Sequence, residues 1–401
     1  MEGREDPGSA GPGDRVNARN PILPGATLGI LGGGQLGRMM AMSARSLGYH
    51  VDTLDPDPSC AARFVVDRCI TAAFDDAQAA EVLARGCQVV TLEIEKIGLQ
   101  SLDAAAKYAP VRPGRAVLER IQDRGVQKTW LEQSGFPLGP WKMASSDAEL
   151  KAAVAALGGH CFVKTRTGGY DGGGQAHLRS ADEAGGVYAK LGGVPVVVEQ
   201  ALELEAELSV LVARAPSGDV AVYPPALNHH EQRILAWSVL PAPVPERLRH
   251  EATELACEVA KKMGVEGLLV VEMFRTRDGK LLVNELAPRP HNSFHATEVG
   301  CLTSQFEQAV RAVCDLPLGS TEVVRPAAIV NLLGDLWVGG QSPRFDRALQ
   351  IPGVRLHLYG KREARPRRKM GHLSATGMTP EEAVKKVLDA QEALTGGLSV
   401  S

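Results

Sequence analysis

The chain has 401 residues, is 44% hydrophobic and 23% charged, and carries a formal net charge of −3. That length suits two or three domains with a sizeable core, and the mildly acidic balance gives no general field for nucleic acid or acidic membranes, so any anionic ligand must be held by a local cluster. No apolar run approaches the roughly 18 residues of a membrane span, and seven scattered cysteines without Cys-x-x-Cys spacing fit reduced thiols in a cytoplasmic protein.

The first 25 residues, rich in Gly, Pro and Asp, lack the apolar stretch of a secretory signal and read as a disordered tail. From Thr27 the pattern TLGILGGGQLGRMMAMSARSLGYHVDTLD reads strand, glycine loop, helix, strand. Gly32, Gly34 and Gly37 stand in the G-x-G-x-x-G spacing, the opening of a doubly wound α/β sheet. Asp55 ends the second strand where a dinucleotide-binding fold places its ribose-binding acid, so this stretch alone suggests an NAD-dependent dehydrogenase. The same loop equally brings any phosphate or sugar to a helix N-terminus, or is a tight turn with no ligand. A third apolar run, 88–92, continues into Glu93 and Glu95, carboxylates at the end of a strand where open α/β sheets bind ligands.

Helical periodicity begins near 121 and is broken by Gly135, Pro137, Gly139 and Pro140, with a domain boundary near 115. Residues 160–164 form a short apolar strand ending in Lys164, followed by TRTGGYDGGGQ, where five glycines fall in seven residues. Backbone N–H groups of such a flap can fold over phosphates while Lys164 supplies a point charge; a plain surface loop is the alternative. VPVVVEQAL is a buried strand ending in Glu199, whose exit resembles an adenine-binding hinge, with Glu207 eight residues on; ordinary exposed acids would look the same. Helix 245–263 carries Leu248, Ala252, Leu255 and Val259 on one core-facing stripe.

Residues 265–295, VEGLLVVEMFRTRDGKLLVNELAPRPHNSFH, read as a β-hairpin. With Asp278-Gly279 as the two central residues of a type I′ turn, Arg277 faces Lys280 and the register places Glu272 opposite Glu285. Two ionised carboxylates so close repel unless a cation lies between them, and Mg2+ on one or two carboxylates plus phosphates is the usual arrangement in ATP-using enzymes. An edge hairpin with solvated glutamates is the alternative. In the following LAPRPHNSFH, Arg289, His291, Asn292 and His295 crowd into seven residues, which suggests an anion site. A second helical stretch, 304–314, precedes strand-like runs from 325 to 359. YGKREARPRRKMGHLSATG then concentrates Lys and Arg against one glutamate, either a solvated loop or a phosphate clamp. Nucleic acid fits it less well, because aromatics are not interleaved. An amphipathic helix, 380–394, follows.

The glycine loop, the lysine with its TGGYDGGGQ flap, the acids Glu272 and Glu285 and the basic tail together resemble the ATP-grasp superfamily. More narrowly, GILGGGQLGRM, FVKTRTGGYDGGGQ, NELAPRPHNS and YGK…RRKMGH look like the 5-(carboxyamino)imidazole ribonucleotide synthetases of de novo purine synthesis, over about residues 25 to 390. The resemblance implies a doubly wound pre-ATP-grasp domain at 26–118, an ATP-grasp domain at 119–318 with a mobile subdomain near 140–200, and a small β-rich C-terminal domain at 319–401. It also implies a homodimer acting on ATP, bicarbonate and 5-aminoimidazole ribonucleotide, with carboxyphosphate as the activated carbon. Carried over position by position, Glu272 and Glu285 hold Mg2+, while Lys164 and Arg124 neutralise phosphate charge. Nucleotide-binding positions are Gly169, Tyr170, Asp171, Gly172, Gly173, Gly174, Gln175, Glu199, Gln200, Ala201, Leu202, Glu207, His230 and Asn284. Arg289 stabilises carboxyphosphate; Tyr170, Asp171, His291 and Asn292 position the amine and handle its proton; Gln35, Lys361 and Arg368 take the ribonucleotide. Another ATP-grasp ligase, such as a formate-dependent glycinamide ribonucleotide transformylase, shares this fold, but PRPHNS and KMGH favour the imidazole substrate. The chain departs from the wider pattern at Ala287, at Ser293-Phe294-His295 and in TLEIEKI, which leaves the roles of Glu93 and Glu95 open.

Overall fold

In the computed structural model, residues 20–168, 174–337 and 342–395 are described; the expected disordered tail lies outside them as far as residue 19, and so do Gly169 to Gly173 of the glycine flap. The first unit is a parallel sheet of β1 (Thr27–Leu31), β2 (His50–Asp55), β3 (Arg68–Thr71) and β4 (Val89–Leu92), in the order β3-β2-β1-β4. Its alternating residues feed two cores: Leu28 and Ile30 pack with Leu36 and Met40 of the helix Gln35–Ser46, while Leu31 and Leu92 pack with Leu83 and Leu102 from helices on the other face. Burial on both faces is why the adjoining strands β1 and β4 are mostly apolar, whereas β2 and the edge strand β3 carry polar residues.

The second unit is an antiparallel sheet of β5 (Trp141–Ala144), β6 (Cys161–Thr165), β7 (Gln175–Leu178) and β8 (Val196–Gln200), in the order β5-β8-β6-β7. Cys161, Val163, Val196 and Val198 face the helix Asp147–Ala156 through Leu150 and Val154. Period-two alternation therefore places Lys164 and Glu199 together on the opposite face.

The third sheet contains β9 (Leu204–Arg214), β10 (Val220–Val222), β11 (Ala226–Glu231), β12 (Ile234–Leu240), β13 (Gly267–Thr276), β14 (Leu281–Ala287), β15 (Ala327–Leu333), β16 (Arg355–Leu358) and β17 (Lys369–Thr376). Its order is β14-β13-β9-β11-β12-β15-β17-β16, with β10 on the free end of β9. The C-terminal strands thus extend the central sheet through the β12–β15 pairing. Helix Glu246–Met263 buries Leu248, Ala252 and Val259 against this sheet as the stripe requires, while Leu255 packs partly buried at its edge. Phe306, from the helix Gln305–Val313, shares a core with Leu36 and so ties the first unit to the third. Among the described residues no helix is long and apolar enough to cross a membrane.

The β13–β14 hairpin corrects the expected turn. Thr276 N donates to Lys280 O at 3.0 Å, so the loop has three residues, Arg277 to Gly279, and Arg277 does not face Lys280. Near the turn the register is therefore one residue off the expected one, with Met273 opposite Val283. An irregularity between Glu272 and Met273 then admits Asn284 as an extra residue, and Glu272 returns to face Glu285. The two-residue loop instead joins β11 to β12, where Gln232 and Arg233 adopt φ of +46° and +68°. Neither residue type announces that conformation, which is usually left to Gly and Asn.

Gly279 has φ +87°, and a Cβ there would meet only Arg275 at 3.4 Å, so its constraint is in the backbone. Gly279→Ala is expected to lower unfolding free energy by about 1 kcal/mol. Urea denaturation checks this, and an unchanged midpoint would remove the positive φ as the cause.

Candidate active site

Between the second and third sheets, charged side chains that belong to separate stretches of chain come into contact. Glu199, at the end of β8, receives Lys164 Nζ at 2.6 Å and Lys128 Nζ at 2.9 Å. Burial opposes its ionisation, but the two ammonium groups outweigh that and hold its carboxyl at about 2. Lys128 was not singled out from the sequence. It lies one helical turn after Arg124 in the helix Arg124–Gln133, and its signal is a lysine buried on the same helix as the core residue Leu131. Arg124 approaches Glu285 at 3.8 Å.

Glu272 and Glu285 face each other on neighbouring strands. Burial and the charge of Glu285 push the Glu272 carboxyl up to about 7. His291 Nε2 lies 3.2 Å from Glu272 Oε1, and Asn284 Nδ2 is 3.4 Å from Oε2. His291 is held well below its ordinary value, first by burial and then by Arg289, Lys369 and His230, so it faces Glu272 as a neutral imidazole. This oxygen-rich pair, whose mutual repulsion a dication would relieve, fits a hard ion such as Mg2+. On the adjoining strands Glu207 Oε2 is paired with His230 Nδ1 at 2.9 Å. Burial lowers the His230 pKa, but Glu207 reverses this and leaves it raised.

Gln200 ends β8, and Ala201 and Leu202 begin the crossing to β9. Gln200 N donates to Pro140 O at 3.0 Å and Ala201 N to His160 O at 2.9 Å, while Leu202 packs over Gly139. Gln175 pairs with Lys164 across β7 and β6, and Gly174 O accepts from Thr165 N at 2.9 Å.

The glycine loop of the first unit is already supplied with anions by the protein. Asp55 Oδ2 accepts from Gly33 N at 2.7 Å, and the two oxygens of Glu93 accept from Gly34 N and Gly37 N at 2.9 Å each. A Cβ on Gly34 would lie 2.5 Å from Glu93 Oε1, so the glycines accommodate a carboxylate. Glu93 stands where a dinucleotide pyrophosphate would need those donors, which removes the dehydrogenase reading. Glu95 has a different part: its Oε1 holds Arg289 Nε at 2.9 Å with the guanidinium buried.

Three distant segments meet beside this loop. Gln35 Oε1 accepts from Lys361 Nζ at 2.5 Å, and Gln35 Nε2 reaches Asn292 Oδ1 at 3.5 Å. Lys361 Nζ also donates to Lys369 O at 2.7 Å. Arg368 donates to Glu363 O at 2.9 Å within its own loop, and its charge, with that of Arg362, helps the Ser59 hydrogen bonds hold Asp57 low. Lys369 is buried on β17 and adds positive potential at His291; the sequence marks only its membership of the basic run. Gly169, Tyr170, Asp171, Gly172 and Gly173 lie outside the described residues.

The Glu199 clamp contributes stability that is present above the ordinary carboxyl pKa of 4.5 and is lost as pH falls towards about 2. Lys128→Met is expected to destabilise the protein by about 1–3 kcal/mol at pH 7, the lower end reflecting the Lys164 that remains. Double-mutant cycles with Glu199→Gln should show coupling above about 0.5 kcal/mol that disappears in acid; strict additivity at pH 7 would argue against the clamp.

Comparison with known proteins gives three adjoining matches. Residues 25–122 match the ribonucleotide synthetase preATP-grasp domain, 129–306 the ATP-grasp domain, and 327–386 the phosphoribosylaminoimidazole carboxylase C-terminal domain. The chain is 42% identical over 358 residues to the N5-carboxyaminoimidazole ribonucleotide synthase of Brucella melitensis, covering 89% of this chain and 98% of that protein. An ADP complex of N5-carboxyaminoimidazole ribonucleotide synthetase superposes with TM-score 0.88 at 40% identity, over 93% of this chain and 98% of that one. The Aspergillus clavatus synthase in complex with ADP and 5-aminoimidazole ribonucleotide gives TM-score 0.84 at 32% identity, over 92% and 98%. Fold, domain order and near-complete coverage agree with the charge arrangement above, and the chain belongs to the N5-carboxyaminoimidazole ribonucleotide synthase family.

Proposed function

We propose that this protein uses ATP and bicarbonate to carboxylate the exocyclic amine of 5-aminoimidazole ribonucleotide, releasing ADP and phosphate, as a cytoplasmic homodimer in de novo purine synthesis. The observation that carries the reading is the facing of Glu272 and Glu285 beside Arg124, within the same site as the Lys164–Glu199–Lys128 cluster. We assign the pre-ATP-grasp domain to 26–118, the ATP-grasp domain to 119–318 with its moving part at 140–200, and the C-terminal domain to 319–401.

In this reading Mg2+ held by Glu272 and Glu285 would offset the charge of the β and γ phosphates. Lys164 and Arg124 neutralise phosphate oxygens, and Glu199 keeps Lys164 and Lys128 in place until the nucleotide arrives. Gln200, Ala201 and Leu202, where β8 passes to β9, receive the base, and Glu207 with His230 lies alongside. The flap residues Gly169 to Gly173, with Gly174 and Gln175, supply N–H groups to phosphates. Arg289, already oriented by Glu95, faces the anionic carboxyphosphate. His291, whose Nδ1 accepts from Ser293 N and whose Nε2 faces Glu272, handles the amine proton with Tyr170, Asp171 and Asn292, which position the imidazole. Lys361 exchanges the amide oxygen of Gln35 for the ribonucleotide phosphate, and Arg368 closes over it.

Two measurements test this. ADP release should require ATP, bicarbonate and 5-aminoimidazole ribonucleotide together; full release with the ribonucleotide omitted, or replaced by glycinamide ribonucleotide and formate, would assign the chain to another ATP-grasp reaction. Glu285→Gln should reduce kcat by about a hundredfold or more with little change in melting temperature. A variant of near-normal activity would exclude Glu285 as a metal ligand.

A further inference from the structure

Away from the nucleotide cluster, three imidazoles stack in a column. His295 lies on His372 with ring centroids 4.6 Å apart, and His372 on His357 at 4.8 Å. The register of β16 on β17 creates half of this column, since His357 and His372 are directly paired. His295 has both ring nitrogens engaged, Nε2 with Asn292 Oδ1 and Nδ1 with Gln305 Nε2, each at 3.0 Å.

His372 is arranged differently. Its side chain is 0% exposed, its Nδ1 is fixed at 2.8 Å from the Tyr359 hydroxyl, and its Nε2 has no hydrogen-bond partner. That nitrogen is aimed at Glu298 Oε2, 3.8 Å away, an oxygen that is itself buried and without a hydrogen bond. The other carboxylate oxygen, Oε1, stands 3.9 Å from His357 Nε2. Such separations are too long for hydrogen bonds. They are near the roughly 3.4 Å between two ligands that each lie about 2.0–2.1 Å from one tetrahedral ion. One ligand atom from each of the three residues lies within 4.8 Å of the others.

We propose that Glu298, His357 and His372 form a binding site for a transition-metal dication, Zn2+ by preference, with the remaining position open to water. Two imidazole nitrogens and one carboxylate oxygen suit Zn2+ and disfavour Mg2+, which selects all-oxygen sites. The site is therefore chemically distinct from the Glu272–Glu285 pair and shares no residue with it. The Tyr359 hydroxyl supplies the outer hydrogen bond that commonly fixes the tautomer of a ligating histidine. Glu298 follows the segment bearing His291 and Asn292, whereas His357 and His372 belong to the C-terminal hairpin. An ion bound here pins these two parts of the chain to each other and stabilises the folded protein by linkage.

The test uses untagged full-length protein stripped with a chelator. Titration with Zn2+ should give one site per chain and raise the melting temperature, and Co2+ should give visible d–d absorption of a nitrogen- and oxygen-ligated ion. Glu298→Gln and His357→Asn, both at partly exposed positions, should each weaken Zn2+ binding tenfold or more while melting within a few degrees of the stripped parent. His160 Nε2 and His177 Nε2, 2.8 Å apart on another surface, are the competing donors, so His177→Asn should leave the site intact. Absence of saturable binding, binding that survives both ligand variants, or loss only in His177→Asn would each overturn the proposal.

Discussion

Two acidic side chains held face to face are the constraint to which the rest of the site responds. Glu272 and Glu285 are opposed on β13 and β14, and directly opposed like charges destabilise a sheet. The backbone does not allow them to separate, because β13 is paired along its whole length with β9, from Gly267 opposite Arg214 to Thr276 opposite Leu204. Relief must come from outside the strands. Arg124 reaches Glu285 from a helix, His291 reaches Glu272 from the segment after β14, and burial shifts Glu272 towards its protonated form. The fold thus keeps two carboxylates opposed and relieves them through groups brought in from other segments.

The positive groups follow the complementary rule. Lys128 is buried and Lys164 partly so, and a buried ammonium without a partner is expensive. Glu199 between them solves this locally and leaves the cluster with one net positive charge. Glu93 does the same for the N–H groups of the glycine loop, and Glu95 for Arg289. Lys128, Lys164 and Arg289 therefore each have an internal partner of opposite sign that orients them in advance.

Legibility in the sequence followed locality. Strands β1, β2 and β4 of the parallel sheet, the helix Glu246–Met263 and the strand before the glycine flap are readable because apolar periodicity and glycine spacing are properties of short windows, whereas β3 and β7 are short and half polar. The facing of Glu272 and Glu285 was also read correctly, though through two compensating errors: a three-residue loop replaced the two-residue turn, and the extra residue Asn284 restored the register. β17 was hidden inside a run remarkable only for its basic charge, and the Gln232-Arg233 turn carries none of the residues that favour positive φ. Lys128 and Lys369 could not be assigned because their roles are set by partners far along the chain. The glycine loop misled in the opposite sense, since Glu93, the group that fills it, lies 56 residues beyond Gly37.

The junction of Gln35, Lys361 and Asn292 explains why the three sequence regions must act as one body. Gln35 opens the first helix, Asn292 follows the central hairpin, and Lys361 precedes β17, 326 positions after Gln35. None of the three can form its contacts until the parallel sheet has docked on the helix Gln305–Val313 through Leu36 and Phe306, and β15 has joined β12. The polar junction thus depends on apolar docking and strand addition. The geometry of this junction and the assembly of the fold therefore depend on the same interfaces.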